Sequence, residues 1–342
     1  MQIAKFCERE GKSKKRIFGT NEVRVANRLS ELHKVQKRNS VSVKENKTKQ
    51  AMISIITTSY NYSEYISETI KSVQAQTYSD WELILVDDAS TDNSVEIIRN
   101  FCQNDKRIKL ICHDKNKGLA KAIQTGLKYA KGEWVAFLES DDTFKSNTLQ
   151  KRFEVAEKYS NVGLIFNDVE EFGDNNSVLA IKNNLENIRQ KLENLSFPRN
   201  IFYDINIDNL LLTFSAVMIK QDLINKCSLE TPIDALLDWW IFLHITFEND
   251  AFYINEKLTK WRQHRDSYLH KRNRKAYKSV NIEACLDIWR TKKLGIKFLP
   301  FVVKTIVLTI FKRGTKFYFV TFIRKIKKLL GINLKPSPLF DD

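Results

Sequence analysis

Glycine and proline are scarce, 10 and 5 among 342 residues. That argues against a turn-rich all-β protein and for long regular elements. The five cysteines, Cys7, Cys102, Cys112, Cys227 and Cys285, have no paired spacing. A disulfide framework and a zinc ribbon are therefore disfavoured, and a reducing cytoplasm suits such isolated thiols. No run of about 18 uncharged apolar residues occurs, so no transmembrane helix is expected. The first residues, MQIAKFCEREGKSKKR, lack the apolar stretch of a secretory signal. GxxxxGK[ST] and GxGxxG are both missing, which sets aside P-loop NTPases and dinucleotide binders. HExxH, GxSxG and a Cys–His signature are missing too.

What is present supports a large folded body. Hydrophobic residues make up 43% of the chain, enough to bury a core and to exclude global disorder. The net charge of +15 is unevenly placed. Residues 1–50 carry 14 Lys/Arg against 5 Glu, and residues 288–340 carry 13 Lys/Arg and no acid. Residues 51–287 hold 29 basic and 34 acidic residues. A mildly acidic body thus bears two basic ends, which does not resemble the overall basicity of a nucleic-acid binder.

Residues 1–50 read as a basic extension and linker, and the body begins at Met52. Short apolar runs then alternate with helical stretches. Strands are expected at Met52–Thr58, Trp81–Val86, Ile108–Cys112 and Trp134–Leu138, with helices at Ser63–Gln76, Asn93–Gln103 and Lys117–Ala130. That alternation predicts an α/β fold with a Rossmann-like, mainly parallel sheet flanked by helices. Gly118, Ala122, Gly126 and Ala130 recur every four residues, a smooth ridge suited to close helix–sheet packing. A helix near Ser146–Tyr159 and a strand at Val162–Asn167 follow, and the pattern loosens through residues 170–212. Phe214–Ile219 reads as a strand, Asp234–Phe247 as a buried helix and residues 251–261 as extended. From residue 265 the chain is basic and helical.

In a parallel α/β sheet, ligands bind at the carboxyl ends of the strands. Asp87-Asp88-Ala89-Ser90-Thr91-Asp92 follows the second strand, and Glu139-Ser140-Asp141-Asp142 follows the fourth. Ser90 or Asp92 is suited to cap the next helix, which leaves Asp87, Asp88 and the later trio unexplained. Two acidic clusters at one edge repel unless a cation resolves them. Mg²⁺ or Mn²⁺, which takes one or two carboxylates together with substrate phosphates, would do so.

These residues carry a resemblance. Ser54–Asn61 (SIITTSYN), Gln74–Thr77 (QAQT), Glu82–Ser90 (ELILVDDAS), Gly118–Ala122, Gly132–Asp142 (GEWVAFLESDD) and Asp238-Trp239-Trp240 resemble the inverting glycosyltransferases of family 2 over about residues 52–265. The resemblance implies a GT-A fold over residues 51–265, with a nucleotide-sugar half to about 145 and an acceptor half from 146. Thr58 and Tyr60 would hold the base of a nucleotide, and Asp88 would accept from a uracil imide N–H. Lys115 and Lys117 would face the diphosphate. Glu139, Asp141 and Asp142 stand where the family carries a DxD motif, with Asp141 or Asp142 as metal ligand. Glu139 is a departure, because aspartate is usual there. Asp238 corresponds to the catalytic base, and Asp234, one turn earlier, competes with it. Trp239 would stack on an acceptor sugar or pack in the core. Arg262, His264 and Ser267, within WRQHRDS, resemble the closing segment, in which a histidine approaches the diphosphate or the metal.

Residues 266–342 form the basic C-terminal region. Within it, residues 301–330 interleave aromatic and aliphatic residues with lysine and arginine, a composition suited to an anionic membrane surface or to packing on the body. The expectation is a Mn²⁺- or Mg²⁺-dependent glycosyltransferase of hexosyltransferase type. It would use a nucleotide-sugar donor, most simply a UDP-sugar, and a glycan or lipid-linked acceptor in surface polysaccharide synthesis. It would sit peripherally on the cytoplasmic membrane face. A nucleotidyltransferase on a related sheet and a non-catalytic nucleotide-sugar-binding scaffold remain the alternatives.

Overall fold

The computed structural model describes residues 51–231, 236–264 and 280–313, with side chains to residue 309. The N-terminal extension, Asp234, residues 265–279 and residues 314–342 lie outside the described residues. The first half alternates strand and helix. β1 (Ile53–Ser59) leads to α1 (Ile66–Gln74), β2 (Trp81–Asp87) to α2 (Ser94–Asn104), and β3 (Ile108–Cys112) to α3 (Leu119–Tyr129). β4 (Trp134–Phe137) and the short β5 (Thr143–Phe144) precede α4 (Thr148–Lys158). β6 (Val162–Gly173), α5 (Asn175–Glu193) and α6 (Phe202–Ile207) follow, then β7 (Val217–Lys220) and α7 (Gln221–Ile224). α8 (Leu237–Glu248), β8 (Asp250–Gln263), α9 (Val280–Thr291) and α10 (Leu299–Arg313) complete the described chain.

All eight strands share one sheet in the order β3-β2-β1-β4-β7-β6-β8-β5. The first four are parallel, while β7 runs antiparallel to both β4 and β6. The parallel part is apolar on both faces, as a sheet covered by helices on both sides must be. Ile53, Ile55, Leu83 and Leu85 pack with Ile66, Ile70 and Val73 of α1 and Ile98 of α2. Ile56, Val135 and Phe137 point to the other face, against α3 and α8. The small-residue ridge of α3 acts there: a Cβ on Gly126 would lie 2.7 Å from Ile56 Cγ2.

Two features depart from the sequence expectation. Residues 170–212 are regular over much of their length, since β6 runs on to Gly173 and the 19-residue α5 follows. Asp174 caps α5 by accepting from the Ser177 amide, and Arg189 ties it to β6 through Asp168 at 3.0 Å and Glu171 at 3.1 Å. The expected strand at Phe214–Ile219 is divided into a single 3₁₀ turn, Phe214–Ala216, and β7.

Strand direction positions the site. β7 is antiparallel to β4, with Ala136 opposite Met218, so the turn just before β7 lies beside the residues just after β4. β5 is antiparallel to β8, with Thr143 opposite Lys260. Continuing that register sets Asp142 and Asp141 beside Trp261 and Arg262. Two remote segments therefore reach the Glu139–Asp142 loop.

Candidate active site

The loops after β1 and β2 are stitched together. The Asp88 amide donates to the Ser59 carbonyl at 2.8 Å, the Asn61 amide to Ser90 Oγ at 2.9 Å and the Thr91 amide to Asn61 Oδ1 at 2.8 Å. Asn61 and Ala89 both occupy the left-handed region, at φ 60° and 66°. That conformation is uncommon for a residue with a Cβ, and the bonds around it hold it. Asp92 bridges the two loops rather than only capping α2, because it accepts from the amides of Ser63 and Ser94. Burial would raise its pKa, but these hydrogen bonds outweigh burial and hold the carboxyl at about 2. Thr58 is half-buried, and Tyr60 leaves its ring 45% exposed, free to offer a flat face.

Asp88 is buried and accepts three bonds from its own chain. The amides of Lys117 and Gly118 donate at 2.8 and 2.7 Å, and His113 Nδ1 lies 2.7 Å from Oδ1. Gly118, at φ 83°, permits the turn that aims both amides. His113 Nε2 meets Thr125 Oγ1 at 2.9 Å. The Lys117 side chain pairs with Asp114 at the surface and Lys115 is exposed, so the described contact of Lys117 with Asp88 is made by its backbone. A carboxylate accepts about four hydrogen bonds, which leaves room at Asp88 for one further donor.

At the end of β4, Thr213 Oγ1 donates to Glu139 Oε2 at 2.8 Å. Ser215 Oγ accepts from the Glu139 amide at 2.9 Å and donates to Asp142 Oδ2 at 2.6 Å. From β8, the Arg262 amide donates to Asp142 Oδ1 and its Nε to the Asp141 carbonyl, each at 2.8 Å. The Arg262 guanidinium also bonds Glu68 and lies over the rings of Tyr65 and Phe172. Asp142 is 1% exposed. Burial, reinforced by the charges of Asp141 and Glu139, pushes its carboxyl well above the usual range. Tyr62, half-buried beside the same acids, has its hydroxyl raised by burial and by their charge.

Asp141 Oδ2 lies 3.0 Å from His264 Nε2, and that imidazole packs against Tyr65 with ring centroids 5.2 Å apart. These two donors suit a hard cation whose shell is completed by substrate oxygens. Among the described residues, no group of three or more His, Cys, Asp or Glu side chains forms an all-protein cage. Asp142, the third expected ligand, directs its oxygens to Ser215 and the Arg262 amide.

Asp238 lies in the first turn of α8, after Leu236 in the left-handed region at φ 63°. It is half-buried, and among the described residues its Oδ1 is buried without a hydrogen-bond partner. Such an orphaned acceptor is costly and marks an atom awaiting a donor. Trp239 is fully buried and donates to the Ile205 carbonyl at 2.8 Å, so its role is packing. Phe214 links α8 to the acidic loop by stacking on Phe137 of β4 at 3.9 Å and meeting Phe242 of α8 at 5.8 Å. Thr213, Ser215 and His113 belong to none of the motifs that the sequence offers. The only cue to the first two is their place just before an antiparallel neighbour of β4.

Comparison with known proteins identifies the architecture. The profile described as Glycosyl transferase family 2 matches residues 54–217. The E. coli protein WfgD, a UDP-Glc:alpha-D-GlcNAc-diphosphoundecaprenol beta-1,3-glucosyltransferase, is 33% identical over 204 residues, covering 60% of this chain and 73% of its own. The chain belongs to glycosyl transferase family 2. Among solved structures, S. aureus TarS 1–349 in complex with UDP-GlcNAc superposes with a TM-score of 0.54 at 17% identity, over 70% of this chain and 66% of that one. The mannosyltransferase PcManGT from Pyrobaculum calidifontis, in complex with GDP-Man and Mn²⁺, gives 0.51 at 14% identity, over 91% and 90%. These likenesses establish the GT-A fold of the family 2 chain.

Proposed function

We propose that this family 2 glycosyltransferase moves a sugar from a UDP-sugar to a hydroxyl of a lipid-linked glycan, with inversion at the anomeric carbon. The observation that carries the proposal is the convergence of Glu139, Asp141 and Asp142 with Arg262 and His264 at the carboxyl end of β4. A nucleoside diphosphate binds at such an edge. WfgD, whose name specifies UDP-Glc and a diphosphoundecaprenol acceptor, supports the choice of donor and acceptor class.

In this reading Tyr60 offers a stacking face to the base, and Asp88, pinned by the Lys117 and Gly118 amides, keeps one acceptor position for an imide N–H. Asp238 takes the acceptor hydroxyl proton as that oxygen attacks the anomeric carbon and the bond to the diphosphate oxygen breaks. Asp141 and His264 would hold a divalent cation. When bound, it supplies charge stabilisation for the departing diphosphate. Among the described residues no helix is long and apolar enough to cross a membrane. α10 nevertheless exposes Val303, Val307 and Leu308 beside Lys304. This supports a membrane surface as the place where enzyme and lipid-linked acceptor meet.

The test is a screen of UDP-, GDP- and TDP-sugars with a polyprenyl-diphosphate-linked acceptor, read as released nucleotide and as product stereochemistry. Acceptor-dependent UDP release with a β-linked product is expected. Pyrophosphate release would instead identify a nucleotidyltransferase, and failure to bind any nucleotide sugar would refute the proposal.

A further inference from the structure

Arg152 of α4 is fully buried, and none of its hydrogen bonds goes to a carboxylate. Its Nε and Nη2 donate to Asn167 Oδ1 at 2.9 and 2.7 Å, and Nη2 donates to the Ser215 carbonyl at 2.9 Å and Thr259 Oγ1 at 3.3 Å. The guanidinium lies 4.9 Å from the centre of the Phe144 ring, and burial pulls its pKa down to about 9. Among the described residues Arg152 has no ion-pair partner, and a buried cation so placed is costly, so its retention needs a reason.

The reason lies one residue away. Ser215, whose carbonyl Arg152 holds, uses its hydroxyl to bond both ends of the acidic loop. That hydroxyl has one proton, and it goes to Asp142 Oδ2. The same oxygen is then left to accept from the Glu139 amide, so its two bonds point in fixed directions. Rotation of the turn would release Glu139 and Asp142 together. Asn167, Thr259 and, at 3.5 Å, the Val217 carbonyl fasten Arg152 to β6, β8 and β7, so the fork ties three strands to the turn.

We propose that Arg152 is a positioning residue of the donor site, acting through Ser215 to fix the Glu139–Asp142 loop. The proposal rests on the reading of that loop as the diphosphate end of the donor site.

Amide hydrogen exchange tests the positioning without any nucleotide. The reporters are the amides of Glu139, which donates to Ser215, and Arg262, which donates to Asp142. Arg152→Met keeps the length and apolar stem and removes the fork. It should speed exchange at both amides at least tenfold while β1 and β2 exchange as in wild type. Arg152→Lys, with charge but no fork, should recover part of that protection. Should Arg152→Met fail to fold, Ser215→Ala, which leaves the carbonyl and Arg152 in place, should show the same local acceleration. Calorimetry with UDP and Mn²⁺ should show affinity falling tenfold or more in either folded variant, with KM for the acceptor unchanged. Wild-type exchange at the two reporter amides, or acceleration spread evenly over the sheet, would overturn the positioning role. A wild-type protein that binds no UDP would refute the donor-site reading, while local acceleration would still uphold the positioning.

Discussion

His264 and Asp141 are 123 positions apart in the chain and meet at 3.0 Å through Nε2 and Oδ2. The contact forms because β8 runs antiparallel to β5, so the residues just before β5 lie beside the end of β8. An imidazole nitrogen and a carboxylate oxygen at that distance are two donors that a divalent cation would draw onto itself together with diphosphate oxygens. Asp141→Ala is therefore expected to weaken Mn²⁺-supported UDP binding tenfold or more, and His264→Ala to do so to a smaller degree. EDTA should lower nucleotide release in the wild type. Calorimetric titration of UDP with and without Mn²⁺ checks this, and a metal-independent affinity in the wild type would sink it.

The catalytic base is a separate question from donor binding. Among the described residues Asp238 has a buried oxygen without a hydrogen-bond partner, which suits the proposed base. Asp238→Asn preserves shape and removes basicity. Loss of a general base typically costs about 10²- to 10⁴-fold, so kcat should fall in that range with the donor affinity unchanged. A variant with full turnover would move the role to another carboxylate, Asp234 first.

Strands β1 to β4 were legible because a parallel sheet covered on both faces needs continuous β-branched runs, and MISIITT and WELILV supply them. The acidic loop was legible because a strand ends there in three acids. α5 was not, although Leu185, Ile188 and Leu192 are its buried stripe. Its other apolar residues, Val178, Leu179, Ala180 and Ile181, form one unbroken run in which Leu179 is exposed, so no helical period reads through its first half. The Thr213 and Ser215 contacts were hidden for a different reason. They depend on β7 running antiparallel to β4, which is a fact of pairing and not of local pattern. Arg152 reads in sequence as one more charge on an amphipathic helix, and only the folded chain reveals that it is enclosed.

The stitch between the first two loops should be pH-dependent. Asp92 has a folded pKa of about 2 against an ordinary 3.8. A depressed carboxyl pKa stabilises the fold above its unfolded value, and that stabilisation is lost as pH falls through the folded one. Asp92→Asn should therefore lower Tm at pH 7 by the equivalent of about 1 kcal/mol, as for loss of a helix cap. The gap to wild type should close between about pH 4 and 2. Melting curves across that range decide it, and a gap that widens on acidification would contradict the assignment.

Gly126 brings α3 close against Ile56 of β1. Alanine there gains about 1 kcal/mol of helix propensity. Its Cβ would meet the branched Cγ2 of Ile56 at 2.7 Å, and that methyl has no soft torsion with which to retreat. Overpacking costs about 1–3 kcal/mol, so Gly126→Ala should be net destabilising by up to about 2 kcal/mol in urea denaturation. The double variant Gly126→Ala with Ile56→Val leaves that methyl in place and should not rescue it, whereas Ile56→Ala should recover part of the clash. A single variant more stable than wild type would show that the helix backs away freely.

The outer face of α10 offers the last test. Val303, Val307 and Leu308 are exposed on it, with Lys304 between them and Lys297 just before the helix. Neither lysine has an ion pair among the described residues, and no acid occurs from residue 288 to 340. An apolar stripe flanked by unpaired cations matches an anionic bilayer, in which each lysine contributes about 1 kcal/mol. Replacing Lys297 and Lys304 with glutamine should then reduce partitioning onto phosphatidylglycerol vesicles roughly 30-fold, since about 2 kcal/mol is lost. Val307→Ser with Leu308→Ser should weaken it as well, and with less dependence on salt. Turnover of a short water-soluble acceptor should stay at the wild-type level in all four substitutions, because this face is remote in sequence from every residue of the donor site. Equal binding of the wild type to neutral and anionic vesicles would remove the charge argument, and leave the stripe as a surface for some other partner.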